Sequence, residues 1–114
     1  MSFWRKEVIE PALDRETRLQ MDEQIAWIAR EPGQAKPYYQ LAQLYRVASR
    51  QDEALGLLLQ AVRLDPAFAE AHAALTEIYV VREDYPAAWR HARLAEQGGE
   101  RRGVELLTRY RVEE

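Results

Sequence analysis

The sequence AKPYYQLAQLYRVA at residues 35–48 decides the fold, because residues 69–82 repeat its pattern as AEAHAALTEIYVVR. The two stretches start 34 positions apart, and so do Pro32 and Pro66, which precede them. Apolar and aromatic residues recur in register, pairing Ala35 with Ala69, Leu41 with Leu75, Leu44 with Ile78, Tyr45 with Tyr79, Val47 with Val81, Ala54 with Ala88, and Ala61 with Ala95. A fixed period of this length is typical of chains built from stacked helical units.

Each repeat reads as two amphipathic helices joined by a short turn. Apolar residues recur at helical intervals after Pro37, a residue suited to the first turn of a helix. A second apolar stripe begins after Asp52 and ends at Pro66. In the second repeat, residues 84–86 mark the turn and residues 98–99, both glycine, mark the end. Two helices joined by so short a turn are expected to lie antiparallel, with their apolar stripes in contact.

Residues 36–99 resemble two tetratricopeptide repeats, which are helical hairpins of this period. The positions that match the family are Leu41, Ala42, Tyr45, Ala54, Leu58, Ala61 and Pro66, then Leu75, Tyr79, Ala88, Ala92 and Ala95. Alanine at a helix crossing lets two backbones approach to about 8–10 Å. Thr76, Ser49 and Glu83 depart from the family, which usually has glycine at those positions. The resemblance implies an all-α fold in which antiparallel helical hairpins stack as a short right-handed solenoid.

Two such repeats need further helices to cover their end faces. We therefore expect one domain with a degenerate N-terminal helical unit at 1–34, repeats at 35–68 and 69–99, and a C-terminal capping helix at 100–114. In the first unit a helix is predicted from Asp14 or Thr17 to Arg30, since Pro11 would interrupt a longer one. In the capping helix the inward side chains are predicted to be Leu106, Leu107 and Tyr110.

In the tetratricopeptide family, the first helix of each hairpin lines a concave groove that holds a partner. The resemblance assigns to this groove Lys36, Tyr39, Gln43, Arg46, Val47, Glu70, Ala73, Glu77, Val80 and Val81. Tyr39 is a suitable anchor because its ring is rigid, and Arg46 and Glu77 are placed to match the charges of a ligand. In the alternative interpretation, Tyr39 packs on the preceding helix and the charges only solvate a face.

Composition bounds the partners. The chain has 114 residues and a net charge of −3, with no cysteine. Binding to nucleic acid or to an anionic membrane surface requires a basic excess, so neither is expected. Charged residues interrupt every candidate membrane span, and the first residues lack the apolar core of a signal peptide. We therefore expect a cytoplasmic protein with a protein or peptide partner.

Catalytic and metal-binding chemistry has little support in the sequence. The candidates are His72 and His91, which belong to different helices of one hairpin, so a two-histidine metal site is one hypothesis. The alternative is that His72 packs where the family usually has tryptophan or leucine. The chain has no asparagine, which family members that clamp a terminal carboxylate require. We expect no enzyme activity, cofactor or metal.

The function expected from the sequence is that of an adaptor, a module that binds a peptide or helix of another protein in its groove. The second hypothesis is self-assembly, in which the incomplete N-terminal unit of one copy docks on another copy. Phe3 and Trp4 could contact a membrane interface, but nearby Glu7 and Glu10 favour a short packing or self-association arm. An enzyme is the third hypothesis.

Overall fold

The computed structural model describes the backbone of residues 2–114 and the side chains of residues 15–114. Within this part of the chain the regular structure is entirely helical, which confirms the all-α prediction. The six helices are α1 (Ser2–Arg30), α2 (Ala35–Val47), α3 (Gln51–Leu64), α4 (Ala69–Val81), α5 (Tyr85–Gln97) and α6 (Arg102–Arg109).

Neighbouring helices pack in the order expected of two hairpins with flanking helices. The most extensive contacts join α2 to α3 and α4 to α5, because links of only three residues turn the chain back on itself. Helix α4 also contacts α3 and α6, α6 contacts α5, and α1 packs on α2. Helix α4 therefore lies at the centre of the molecule, which explains why most of its residues are buried.

Alanine seams let the helices of each hairpin approach closely. Ala54 and Ala61 of α3, like Ala88 and Ala95 of α5, have no accessible surface. Leu58 and Leu75 are the largest fully buried aliphatic side chains of the hairpins. The small residues that the repeat pattern placed at helix crossings therefore occupy the core, and the large ones fill the space beside them.

Both hairpins use the same helix end. Ser49 and Glu83 follow α2 and α4 with φ angles of 61° and 60°, in the left-handed region. The amide of the next residue donates back into the helix in each case, from Arg50 to the Tyr45 carbonyl at 2.8 Å and from Asp84 to the Tyr79 carbonyl at 2.9 Å. This is the Schellman arrangement, which satisfies carbonyls that a helix end otherwise leaves unpaired.

Helix α1 differs from its prediction. It begins at Ser2, so the expectation that Pro11 would delay the helix to Asp14 or Thr17 is wrong. A proline inside a helix removes one backbone donor and costs about 3 kcal/mol, but the hydrogen bonds on either side of it can still form. A proline alone is therefore too weak a signal to place the start of a long helix.

Helix α6 also differs from its prediction, because it is shorter and rotated. Its buried residues are Gly103, Val104 and Leu107, whereas Tyr110 is 68% exposed and the prediction that it faces inward is wrong. The helix closes when Arg111 adopts a φ of 58° and the Val112 amide donates to the Leu107 carbonyl at 2.9 Å. Val112 packs against the cluster that contains Trp89.

Candidate functional site

The groove residues assigned from the resemblance fall into three groups by exposure. Lys36, Val47, Glu70 and Val81 are exposed, while Tyr39, Gln43, Arg46, Glu77 and Val80 are half-buried. Ala73 has no accessible surface and is removed from the candidate contacts, because α4 is surrounded by other helices at that position. Side-chain contacts join α2 to α4 through two clusters, one aromatic and one charged. We call the surface formed by these two clusters the α2–α4 groove.

The aromatic cluster lies at the start of the two helices. The Tyr39 ring of α2 and the Phe68 ring just before α4 have centroids 5.1 Å apart and are tilted by 43°. They border a cavity of about 580 Å³ whose other lining residues include Lys36, Gln40 and Glu70. Burial raises the pKa of the Tyr39 hydroxyl, which therefore stays neutral. Tyr39 thus packs towards the following hairpin while part of its ring remains accessible.

The charged cluster lies further along the helices. Arg46 Nη2 of α2 lies 2.7 Å from Glu77 Oε2 of α4, and Arg102 Nε of α6 lies 3.2 Å from Glu77 Oε1. Arg46 also donates to the Gln43 side-chain oxygen at 3.2 Å. Two guanidinium groups therefore share one carboxylate and leave a local excess of one positive charge. This arrangement fixes all three side chains on the face of the groove.

Sequence reasoning missed Arg102, which is not among the groove residues assigned from the resemblance. A signal was present, because α2 and α4 start at Ala35 and Ala69, and the same period leads to position 103, one residue after the start of α6. Helix α6 therefore follows the spacing of the inner helices α2 and α4. Extending the 34-residue period past the second repeat would have placed α6 beside α4, although not the pairing of Arg102 with Glu77.

His72 and His91 form a buried hydrogen-bonded pair between α4 and α5. Their Nδ1 atoms lie 2.9 Å apart, and His72 Nε2 lies 2.8 Å from the Pro66 carbonyl oxygen. Because a carbonyl only accepts, His72 carries its hydrogen on Nε2, and its Nδ1 must accept from His91 Nδ1. The Tyr79 ring stacks on His91 at 5.6 Å. Burial, and then the nearby His72 and Arg90, lower the pKa of His91 from 6.5 to about 4.

This geometry is that of a structural pair. Two ligands of one tetrahedral zinc ion lie about 3.3 Å apart, given zinc–nitrogen distances of about 2.0–2.1 Å, whereas the 2.9 Å separation is a direct hydrogen bond. Across residues 15–114, no group of three or more histidine and acidic side chains is placed to hold a metal ion. The packing alternative for His72 fits its 3% exposure.

Comparison of the chain with protein-family models and with curated proteins finds no match. In the part of the chain that the structure describes, no helix combines the length and the apolar composition that crossing a bilayer requires.

Proposed function

We propose that this chain is a non-catalytic protein–protein interaction module of the tetratricopeptide kind, which binds a peptide or helix of a partner protein in the α2–α4 groove. In this proposal the two hairpins and the flanking helices stack as a short right-handed solenoid. The support is the agreement of three features at one spacing of 34 residues: the sequence pattern, the starts of α2 and α4, and the left-handed residues Ser49 and Glu83.

The observation that carries the proposal is the half-exposed Tyr39–Phe68 pair beside a cavity of about 580 Å³. A neighbouring ring already restricts the Tyr39 side chain, so little further entropy is lost when a ligand packs against it. Rigid aromatic side chains next to pockets are the residues that most often dominate binding energy. The cavity has room for an apolar side chain of a partner, and the oppositely charged Lys36 and Glu70 are among its lining residues.

The charged cluster supports the same face as the binding surface. Glu77 engages both Arg46 and Arg102, so the three side chains are held in place before a ligand arrives. Charges fixed in this way contribute more to the register and selectivity of binding than to its strength. The proposed ligand therefore places an apolar residue in the Tyr39–Phe68 cavity and polar residues along the charged cluster.

A random peptide library displayed on phage, selected against the immobilised protein, tests this proposal. Peptides selected by the wild type should bind in fluorescence polarisation with dissociation constants on the order of micromolar. Tyr39→Ala combined with Glu77→Lys should weaken binding by about 30-fold or more, as expected for loss of a hot-spot residue. Tyr110→Ala is the matched control, because Tyr110 is exposed and contributes to neither cluster. Equal binding by the groove variant, with its helicity intact, would remove this face as the site.

A further inference from the structure

A second apolar groove lies on a different part of the molecule, where α1, α2 and α3 meet. Its lining includes Ile25 of α1, Leu41 and Tyr45 of α2, and Leu57 of α3, around a cavity of about 390 Å³. We call it the α1–α3 groove. Ile25 is 46% exposed, and Gly56, which also lines the cavity, has open space where a β-carbon would lie. An apolar surface of this kind is a candidate for contact with another chain.

The rim of the α1–α3 groove carries two acidic residues, each paired with an arginine. Asp52 and Glu53, at the start of α3, border the cavity. Asp52 is paired with Arg82, and Glu53 accepts from Arg50 Nε at 2.7 Å. Both pairs are exposed, and exposed ion pairs contribute little free energy. A basic group of an incoming chain can therefore replace Arg82 or Arg50 as the partner of these carboxylates.

The length of α1 points to the occupant. At 1.5 Å per residue the 29-residue helix is about 44 Å long, whereas the 13-residue helix α2, which packs on it, is about 20 Å long. Helix α2 can therefore cover only about half of α1. A continuous helix cannot bend back onto the same chain, so residues 2–9 at its start can reach an α1–α3 groove only in a second copy.

The sequence of residues 2–9, SFWRKEVI, has the composition that this groove requires. Trp4 and Val8 are four residues apart and share one face of the helix. Arg5 and Lys6 adjoin them and are opposite in charge to the acidic rim, against a single acidic residue, Glu7. An apolar face with basic neighbours thus matches an apolar groove with acidic neighbours.

We propose that two copies of this chain form a reciprocal dimer in which residues 2–9 of each copy occupy the α1–α3 groove of the other. In this dimer the apolar and basic residues of the segment 2–9 meet the apolar and acidic residues that line the groove. The exchange is two-fold symmetric, so it closes after two copies and leaves neither groove open. The α2–α4 groove takes no part in this contact, and the inference does not depend on the proposed function.

Sedimentation equilibrium over a dilution series tests the dimer. The average mass of the wild type should rise with concentration from the 13.3 kDa of one chain towards twice that value. Deletion of residues 1–9 should abolish the rise, and Ile25→Glu should weaken dimerisation by at least 10-fold. Tyr39→Ala is the matched control and should dimerise like the wild type, whereas the deletion variant should still bind the peptides selected on the α2–α4 groove.

Exchange of charges identifies the occupant. Arg5→Glu with Lys6→Glu should prevent dimerisation, as should Asp52→Lys with Glu53→Lys, while an equimolar mixture of the two variants should recover mixed dimers. Circular dichroism verifies that each variant keeps its helicity. A wild type that stays monomeric at every concentration overturns the proposal. A dimer that survives the deletion, or charge variants that show no recovery on mixing, also overturns it, since the groove would then hold a different surface.

Discussion

The Nδ1 atoms of His72 and His91 lie 2.9 Å apart in the interior of the second hairpin, and only one of them can carry a hydrogen. His72 uses its Nε2 hydrogen for the Pro66 carbonyl, so the donor between the rings is His91 Nδ1. Burial, and then the nearby His72 and Arg90, lower the pKa of His91, so protonation of His91 opposes the folded state.

We predict that the free energy of unfolding decreases as the pH falls from 6.5 to 4. The pKa of His91 is lowered to about 4 in the folded chain, from 6.5, so between these values the unfolded chain binds more protons. The contribution of neutral His91 to the free energy of unfolding is fully present above pH 6.5 and is lost as the pH falls towards 4. The loss should be roughly 2 kcal/mol after allowance for solvent screening of the ring. Urea unfolding at a series of pH values measures it.

His91→Gln is the control for that prediction. The glutamine amide can donate to His72 Nδ1 but does not titrate, so the decrease between pH 6.5 and 4 should become smaller by the contribution of His91. Carboxylates such as Glu114, whose pKa is lowered by Arg93, affect both proteins alike at more acidic pH. If the free energy of unfolding depended on pH in the same way for the wild type and His91→Gln, protonation of His91 would not be the cause of the decrease.

The left-handed residues after α2 and α4 provide a second prediction. Ser49 and Glu83 have φ angles of 61° and 60°, a conformation that costs roughly 1 kcal/mol for a residue with a β-carbon. Ser49→Gly and Glu83→Gly should each raise the free energy of unfolding by about 0.5–1 kcal/mol. The gain is smaller to the extent that glycine increases the conformational entropy of the unfolded chain. The two effects should add, because the sites belong to different hairpins.

Ala48→Gly is the matched control for the left-handed residues. Ala48 directly precedes Ser49 but has a φ of −82°, which suits any residue, so glycine there should only destabilise, by up to about 1 kcal/mol. Urea unfolding of the three single variants measures the change in the free energy of unfolding, which should be positive for Ser49→Gly and Glu83→Gly and negative for Ala48→Gly. If all three glycines destabilised the protein alike, backbone strain at Ser49 and Glu83 would not be the cause.

The parts of the fold that could be predicted from the sequence are those held by contacts between helices that are adjacent in sequence. The two hairpins and their alanine seams were predictable, because residues such as Ala54 and Ala88 recur at one period and the helices pair with their neighbours in sequence. The start of α1 was not, because a proline weakens a helix without preventing it. Tyr110 is exposed where α6 ends, just before the left-handed Arg111, and the residue types there do not indicate that the helix stops at this point.

The candidate site was predictable only in part, for the same reason. Tyr39, Arg46 and Glu77 follow from the repeat pattern, but the sharing of Glu77 by Arg102 requires α6 to lie beside α4, which joins positions 25 residues apart. The His72–His91 pair likewise joins two helices, and the hydrogen bond depends on ring orientations that no spacing encodes. Neither contact has a local sequence signature.

The contact between α6 and α4 provides a third prediction. A β-carbon on Gly103 would lie 3.0 Å from Thr76 Cγ2 and 3.2 Å from Ala92 Cβ, which is too close for an unchanged core. Gly103→Ala should therefore lower the free energy of unfolding by about 1–3 kcal/mol despite the better helix propensity of alanine. Hydrogen exchange should accelerate at the amides of α6 more than at those of α3.

Two further variants decide whether crowding at Gly103 is the cause. Gly56→Ala introduces the same methyl group into open space in the interior of α3, so it should stabilise the protein by up to about 1 kcal/mol. Thr76→Ser removes the Cγ2 atom that Gly103→Ala would meet, so the double variant should recover part of the lost stability. A simple sum of the two single effects in that double variant would argue against direct contact.

The charged cluster provides the last prediction, which separates stability from recognition. Arg102 is about half exposed in its pair with Glu77, so Arg102→Gln should change the free energy of unfolding by less than about 1 kcal/mol. The same change removes one of the two cations that hold the Glu77 carboxylate, so peptides selected on the α2–α4 groove should bind it less selectively. Arg101→Gln is the matched control, because Arg101 pairs with Glu96 at 3.8 Å and not with Glu77. Fluorescence polarisation with charge-altered peptides measures the selectivity, and equal profiles for both glutamine variants would mean that α6 has no part in recognition.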